Sequence, residues 1–210
     1  MLAILRQFKV IPLLQMKELD VNDALKVAET LTEAGLPLLE IIFRRFCDSK
    51  AIREIAARQP QFMIGAGNIL SRDQLLRCID AHAKFALAPG ACPETIKEAA
   101  HRNIVFAAGA CNPTDIQTIL LNGMVDFQFF PAESTGGVEH LKTIVEPFEH
   151  LSGDIVARGG ITPEKLPDYL RMPQIAAVCV DWVVTPEFVA NKRWDAIRDA
   201  AKLAIELAQH

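Results

Sequence analysis

Strand-length apolar runs recur through this chain at intervals of roughly 20 to 30 residues, and each is followed by a segment with helical spacing. Eight such runs can be read: Phe8 to Leu14, Leu38 to Phe43, Phe62 to Gly65, Phe85 to Ala88, Ile104 to Ala108, Val125 to Phe130, Ile155 to Arg158 and Ile175 to Val180. The intervening segments are Val21 to Ala34, Ser49 to Arg58, Ser71 to Ala81, Pro93 to His101, Pro113 to Leu121, Val138 to Phe148 and Glu164 to Leu170, with a last one from Arg193 to Ala208. Asp48 or Ser49, Ser71, Asn112 with Pro113, and Thr162 with Pro163 stand where helix starts are expected. Short uninterrupted apolar strands suit a parallel sheet covered by helices, and eight successive βα units favour closure into a (β/α)8 barrel. An open doubly wound sheet is the alternative, but Leu13, Leu14 and Gln15 follow the first run where a G-x-G-x-x-G would be expected. The reading is α/β: one (β/α)8 domain over residues 1–210, preceded by a short N-terminal helix.

Half of the 210 residues are hydrophobic, which is enough for a core without staples. The net charge of −4 and the lack of a basic run exclude nucleic acid and an anionic membrane as expected partners. No apolar run reaches membrane length and the start resembles no signal peptide, so a cytoplasmic protein is expected. Cys47, Cys78, Cys92, Cys111 and Cys179 are widely spaced and read as buried thiols rather than a disulfide framework or zinc ribbon. His82, His101, His140, His150 and His210 fall in helices, at strand starts or at the terminus, away from any expected site.

In a barrel the chemistry belongs at the C-terminal ends of the strands. Glu40, Ile42 and Arg44 share one parity of the second run, whereas Arg45 has the other and reads as a solvated or helix-side charge. Gly65, Ala66, Gly67 and Asn68 follow the third strand, Pro89 and Gly90 the fourth, and the fifth ends at Ala108 and Gly109. The sixth contributes Gln128 and Phe130, the seventh Arg158, Gly159 and Gly160, and the eighth Asp181 and Trp182. Glu40 among Leu38, Leu39, Ile41 and Ile42 is a costly placement: it is either a general base or half of an ion pair with Arg44 or Arg158. Arg44 and Arg158 offer planar forks to a substrate carboxylate. Gly159 and Gly160 could let an anion approach the backbone, although Asp181 would repel a phosphate. Gln128 is a neutral amide in an apolar strand, and a hydrogen-bonded core glutamine would explain it as well as a catalytic one. A magnesium or manganese site of Glu40, Glu133 and Asp181 is conceivable, but nothing in the spacing demands it.

These stretches resemble the 2-keto-3-deoxy-6-phosphogluconate and 4-hydroxy-2-oxoglutarate aldolases over nearly the whole chain. The markers are Ile11-Pro12-Leu13-Leu14, Leu39-Glu40-Ile41 with Arg44, Gly65-Ala66-Gly67, and Phe85-Ala86-Leu87-Ala88-Pro89-Gly90. The most specific are Phe127-Gln128-Phe129-Phe130-Pro131-Ala132-Glu133 with Gly136-Gly137, and Gly159-Gly160-Ile161. The resemblance implies a homotrimeric (β/α)8 barrel, without metal or other cofactor, that cleaves a 2-keto-3-deoxy sugar acid phosphate to pyruvate and an aldehyde. It implies a Schiff base between a sixth-strand lysine and the keto carbon, with a second-strand glutamate moving protons. Glu40 matches that glutamate, Arg44 an arginine that helps hold the pyruvate carboxylate, and Pro89 and Phe130 residues that line the pocket.

Gln128 stands where the Schiff-base lysine belongs, and a primary amide, its lone pair delocalised into the carbonyl, cannot form an iminium. Asn68 and Arg158 each replace a threonine, and Asp181 replaces a serine expected at the substrate phosphate. Lys9 and Lys84 lie at the wrong end of the barrel and Lys142 within a helix, so none substitutes. Three functions follow. The first is a lyase of small, pyruvate-type 2-oxo acids working without the covalent route, in which Glu40 is the base, Arg44 and Arg158 hold carboxylates, and Gln128 donates to the keto oxygen. The second is an inactive or merely oxo-acid-binding relative, and the third is metal-assisted lyase or decarboxylase chemistry.

Overall fold

The computed structural model describes residues 2–16, 20–44 and 46–209, apart from the side chains of Phe46 and Cys47. Eight parallel strands close into a barrel in chain order, β8 pairing with β1. They are β1 (Lys9–Leu14), β2 (Leu38–Ile42), β3 (Met63–Gly67), β4 (Phe85–Leu87), β5 (Val105–Ala110), β6 (Phe127–Phe129), β7 (Ile155–Arg158) and β8 (Ile175–Val180). The helices are α1 (Val21–Glu33), α2 (Phe46–Arg58), α3 (Arg72–Asp80), α4 (Pro93–Arg102), α5 (Pro113–Leu121), α6 (Gly137–Val145), α7 (Leu166–Leu170), α8 (Pro186–Ala190) and α9 (Trp194–Leu207). Closure rather than an open sheet is therefore what the repeat builds, as expected from eight consecutive βα units.

The alternation of a strand sorts its side chains into two cores. One set, including Leu39, Ile41, Ile64, Ala86, Phe106, Phe129 and Val178, packs against the helices. The other fills the barrel: Ile11 and Leu13, Leu38 and Ile42, Met63, Phe85 and Leu87, Ala107, Val156, Ala177 and Cys179. Leu2 and Leu5, from a single 3₁₀ turn (Leu2–Leu5), are fully buried in this second set. The short N-terminal helix is thus a plug at the end of the barrel where the strands begin, its Leu2 amide donating to Asp126 Oδ2 at 3.0 Å.

Ser71 and Asn112 cap α3 and α5 as their positions predict, accepting from the amides of Gln74 and Asp115. Two starts differ from expectation. Helix α2 begins at Phe46, before Asp48, and the Asp48 carboxylate instead turns back to accept from the Arg44 amide at 2.7 Å. Thr162 and Pro163 open a turn, and α7 begins only at Leu166. The segment expected to run helically from Val138 to Phe148 is α-helical to Val145 and ends in a 3₁₀ turn through Pro147, whose ring removes a helix donor. Sequence reading missed α8, capped by Thr185; it has five residues and buries only Val189, too little for periodicity to register. Arg45 and His210 lie outside the described residues, as does the Cys47 side chain.

Candidate active site at the barrel mouth

At the C-terminal end of the strands a cleft of about 230 Å³ is lined by Leu13, Gln15, Arg44, Asn68, Phe130, Arg158, Gly159, Gly160, Cys179 and Asp181. Seven of the residues expected to bind substrate therefore meet there. Glu40 and Gln128 lie within the barrel wall beneath, both 0% exposed. Their strands stand on opposite sides: Glu40 pairs in register with Leu13 and Gly65, and Gln128 with Gly109 and Val156.

Glu40 resolves into the ion pair that its burial allows. Arg158, the last residue of β7, reaches across the barrel and donates from Nη1 to Glu40 Oε1 at 2.8 Å. The Arg158 side chain is itself 7% exposed, so both charges are withdrawn from bulk water and their mutual attraction is little screened. The guanidinium also stands 5.7 Å from the centre of the Phe130 ring, a cation–π distance that fixes its plane. Room for the glutamate comes from β3, because a Cβ on Gly67 would overlap Glu40 Oε1. Glu40 Oε2 has no hydrogen-bond partner among the described residues. Its neighbour Cys179 is a thiol that burial, and then the nearby Glu40 charge, push well above the ordinary range, so it stays protonated.

Gln128 is held by its nitrogen: Nε2 donates to the Ala88 carbonyl at 2.9 Å, while Oε1 has no partner among the described residues. Because a carbonyl can only accept, the amide orientation follows from this contact. The atom left for a ligand is an acceptor, which shifts Gln128 away from the expected role of donor to a keto oxygen.

Pro89 and Gly109 do not line this cleft. Pro89 borders a separate surface with Ile69, Leu70, Gly90, Ala91 and Cys92, and a Cβ on Gly109 would overlap the Pro89 carbonyl. Their contact is backbone packing between β4 and β5, beside the Ala88 carbonyl that holds Gln128. Gly159 and Gly160 line the cleft at φ 115° and 75°, conformations that favour glycine. The carbonyls of Arg158 and Gly159 accept from the Ala132 and Glu133 amides, so this turn is packed against the end of the Phe127–Glu133 stretch. With α7 starting at Leu166, the expected helix terminus beside the glycines does not form. Asn68 sits at φ 57°, which asparagine tolerates better than a β-branched residue.

Glu133 does not join Glu40 and Asp181: its carboxylate accepts from Tyr169 Oη at 2.7 Å and pairs with Lys165. Among the described residues, no cluster of three or more His, Cys, Asp or Glu could hold a metal ion. None of the described lysines lines the cleft. Lys9 Nζ donates to the Ala208 carbonyl, and Lys142 pairs with Glu139 on α6; Lys17 lies outside the described residues. Of the thiols, Cys78 and Cys179 are buried as expected, but Cys92 is exposed and Cys111 half-buried. Gln15 and Cys179 join the cleft unexpectedly, although each shares the inward parity of its strand, with Leu13 and Asp181 respectively.

A family model described as KDPG and KHG aldolase matches residues 1–200. The chain belongs to the KDPG and KHG aldolase family. Among KDPG and KHG aldolases, the 2-dehydro-3-deoxy-phosphogluconate aldolase of Haemophilus influenzae is 33% identical over 203 residues, covering 97% of this chain and 94% of that protein. A solved KDPG aldolase from Legionella pneumophila, with pyruvate captured at low pH as a covalent carbinolamine intermediate, matches with a TM-score of 0.89. Its identity is 29%, over 96% of this chain and 97% of that one. The 2-keto-3-deoxy-6-phosphogluconate aldolase of Zymomonas mobilis ZM4, solved with 3-phosphoglycerate, has a TM-score of 0.86 at 32% identity, over 98% of this chain and 94% of that one. The chain thus has the sequence and barrel of an aldolase-type lyase family. No described helix is long and apolar enough to cross a membrane.

Proposed function

We propose that this protein is a carbon–carbon lyase of small, pyruvate-type 2-oxo acids that works without a Schiff base. The observation that carries the reading is the buried Arg158–Glu40 contact at 2.8 Å, which puts a carboxylate and a guanidinium together beneath a cleft that also contains Arg44. The carbinolamine of the Legionella relative requires an amine at the keto carbon. Gln128 offers an amide instead, and no described lysine lines the cleft.

On a 4-hydroxy-2-oxo acid, Arg44 and Arg158 would hold the carboxylate. Glu40, through Oε2, would take the proton of the C4 hydroxyl as the C3–C4 bond breaks and its electron pair moves toward the C2 oxygen. The enolate so formed would be stabilised by the Arg158 guanidinium and protonated at C3, giving an aldehyde and a 2-oxo acid. Asn68, Phe130, Gly159, Gly160 and Asp181 would shape the cleft, with Pro89 and Gly109 supporting it from the backbone. Asp181 argues against a phosphorylated substrate. We read residues 1–210 as one domain acting in the cytoplasm as a homotrimer, which sedimentation would test.

Borohydride reduction in the presence of pyruvate, followed by intact-mass measurement, should leave the chain unmodified, whereas a stable adduct on any lysine overturns the noncovalent route. Release of 2-oxo acid from 4-hydroxy-2-oxoglutarate should be lost on Glu40→Gln and persist in chelator; loss in chelator would favour metal assistance. A second reading, a binding barrel without turnover, is favoured by one observation: Glu40 already accepts from Arg158 and is 0% exposed. Affinity for 2-oxo acids without any turnover would select it.

A further inference from the structure

The barrel interior carries a buried acceptor that has no donor among the described residues. Gln128 is 0% exposed, its nitrogen is committed to the Ala88 carbonyl, and its Oε1 has no hydrogen-bond donor among the described residues. A buried acceptor left unpaired is costly enough that a native site normally supplies its partner. Across the barrel Glu40 Oε2 likewise has no hydrogen-bond partner among the described residues, with the weakly donating Cys179 thiol near the carboxylate. The cleft above holds the complementary charges, Arg44 and Arg158. A ligand that pairs with both the guanidinium groups and the amide oxygen carries a carboxylate and, close to it, a hydrogen-bond donor.

A 2-oxo acid lacks that donor. Its C2 oxygen is an acceptor and would oppose Gln128 Oε1 lone pair to lone pair. A hydroxyl on carbon 2 removes the conflict, because its proton can face the amide while its oxygen still accepts from a guanidinium. We propose that this site prefers 2-hydroxy carboxylates to the corresponding 2-oxo acids, with Gln128 Oε1 accepting from the C2 hydroxyl and Arg158 and Arg44 holding the carboxylate. Gln128 is then the residue that sets specificity at carbon 2. This inference rests on the reading of the cleft as the 2-oxo-acid site and extends it to the state of the ligand that is bound best.

Calorimetric titration of the full chain with D- and L-lactate, pyruvate and propionate, at matched ionic strength, tests it. One lactate enantiomer should bind about three- to tenfold tighter than pyruvate and than propionate, the factor expected for one hydrogen bond to a buried acceptor. Gln128→Leu should abolish the advantage of lactate over propionate and over pyruvate. The proposal is overturned if pyruvate binds as tightly as lactate, if the preference survives Gln128→Leu, or if none of the ligands binds. Should Gln128→Leu not fold, the ratios measured on the unaltered chain decide the question. Turnover of 4-hydroxy-2-oxoglutarate with equal lactate and pyruvate affinities would refute this preference alone, whereas absence of both binding and turnover would remove the underlying reading too.

Discussion

Replacing Arg158 by methionine would leave Glu40 in the barrel interior without its guanidinium. The carboxylate is 0% exposed, its Oε1 would lose a 2.8 Å charged hydrogen bond, and Oε2 has no partner among the described residues to compensate. Removing one member of a buried ion pair costs about 3–5 kcal/mol, because the surviving charge must be desolvated without attraction. Against a total stability of roughly 5–15 kcal/mol this is a large share. With a urea dependence of roughly 2–3 kcal/mol per molar, the unfolding midpoint should fall by about 1–2.5 M with little change in slope. Replacing both partners, Glu40→Met with Arg158→Met, should recover most of that loss, since a buried pair is often matched by apolar side chains of similar volume. Urea unfolding followed by far-UV circular dichroism on the four proteins of the cycle gives the coupling directly. A midpoint shift below about 0.3 M for Arg158→Met, or a double variant as unstable as the sum of the singles, would show that the two side chains are not coupled as a buried pair. Neither variant should retain lyase turnover, whatever its stability.

Two further substitutions probe the surroundings of the pair. Gly67→Ala would push a methyl into Glu40 Oε1 and should cost about 1–3 kcal/mol; the displaced carboxylate should also cost nearly all turnover, measured as 2-oxo acid release by the folded variant. At Glu133, burial alone would raise the carboxyl, but hydrogen bonds from Lys165 and Tyr169 outweigh it and hold the group below its usual value of 4.5. The stabilisation is therefore present above the unfolded value and is lost as pH falls through the lower folded one. Glu133→Gln should flatten the acid limb of a stability profile recorded from pH 7 to pH 3, and an unchanged limb would refute the assignment.

Much of the fold was legible because the signals are local and repeated. Eight apolar runs separated by amphipathic segments admit few architectures, and capping residues such as Ser71 and Asn112 act within one turn of themselves. Where the reading strayed, the deciding contacts were distant or too short to leave a pattern. Asp48 answers to the Arg44 amide rather than heading α2, and α8 is only five residues long. Positions at strand ends brought Arg158 and Asp181 to the cleft, with Gln128 beneath it, and strand parity carried through β8 and past β1 also points to Cys179 and Gln15. Pro89 and Gly109 fall outside the cleft, because a position at a strand end does not reveal whether the backbone there faces the cleft or a neighbouring strand.

The Phe127–Glu133 stretch divides the two kinds of information. Its sequence alone determined that a buried strand ends in a proline turn, that the family resemblance centres there, and that an amide occupies the position where an amine would be expected. Tertiary structure alone decided what that amide and its neighbours meet. Gln128 turns its nitrogen to Ala88, forty residues away, Glu133 leaves the mouth for Tyr169 and Lys165, and Arg158 finds Glu40 across 118 residues of chain. The physical reason is that local sequence sets which face of a strand a side chain occupies, whereas the partner of a buried charge or amide is set by which strands the closed barrel brings opposite one another.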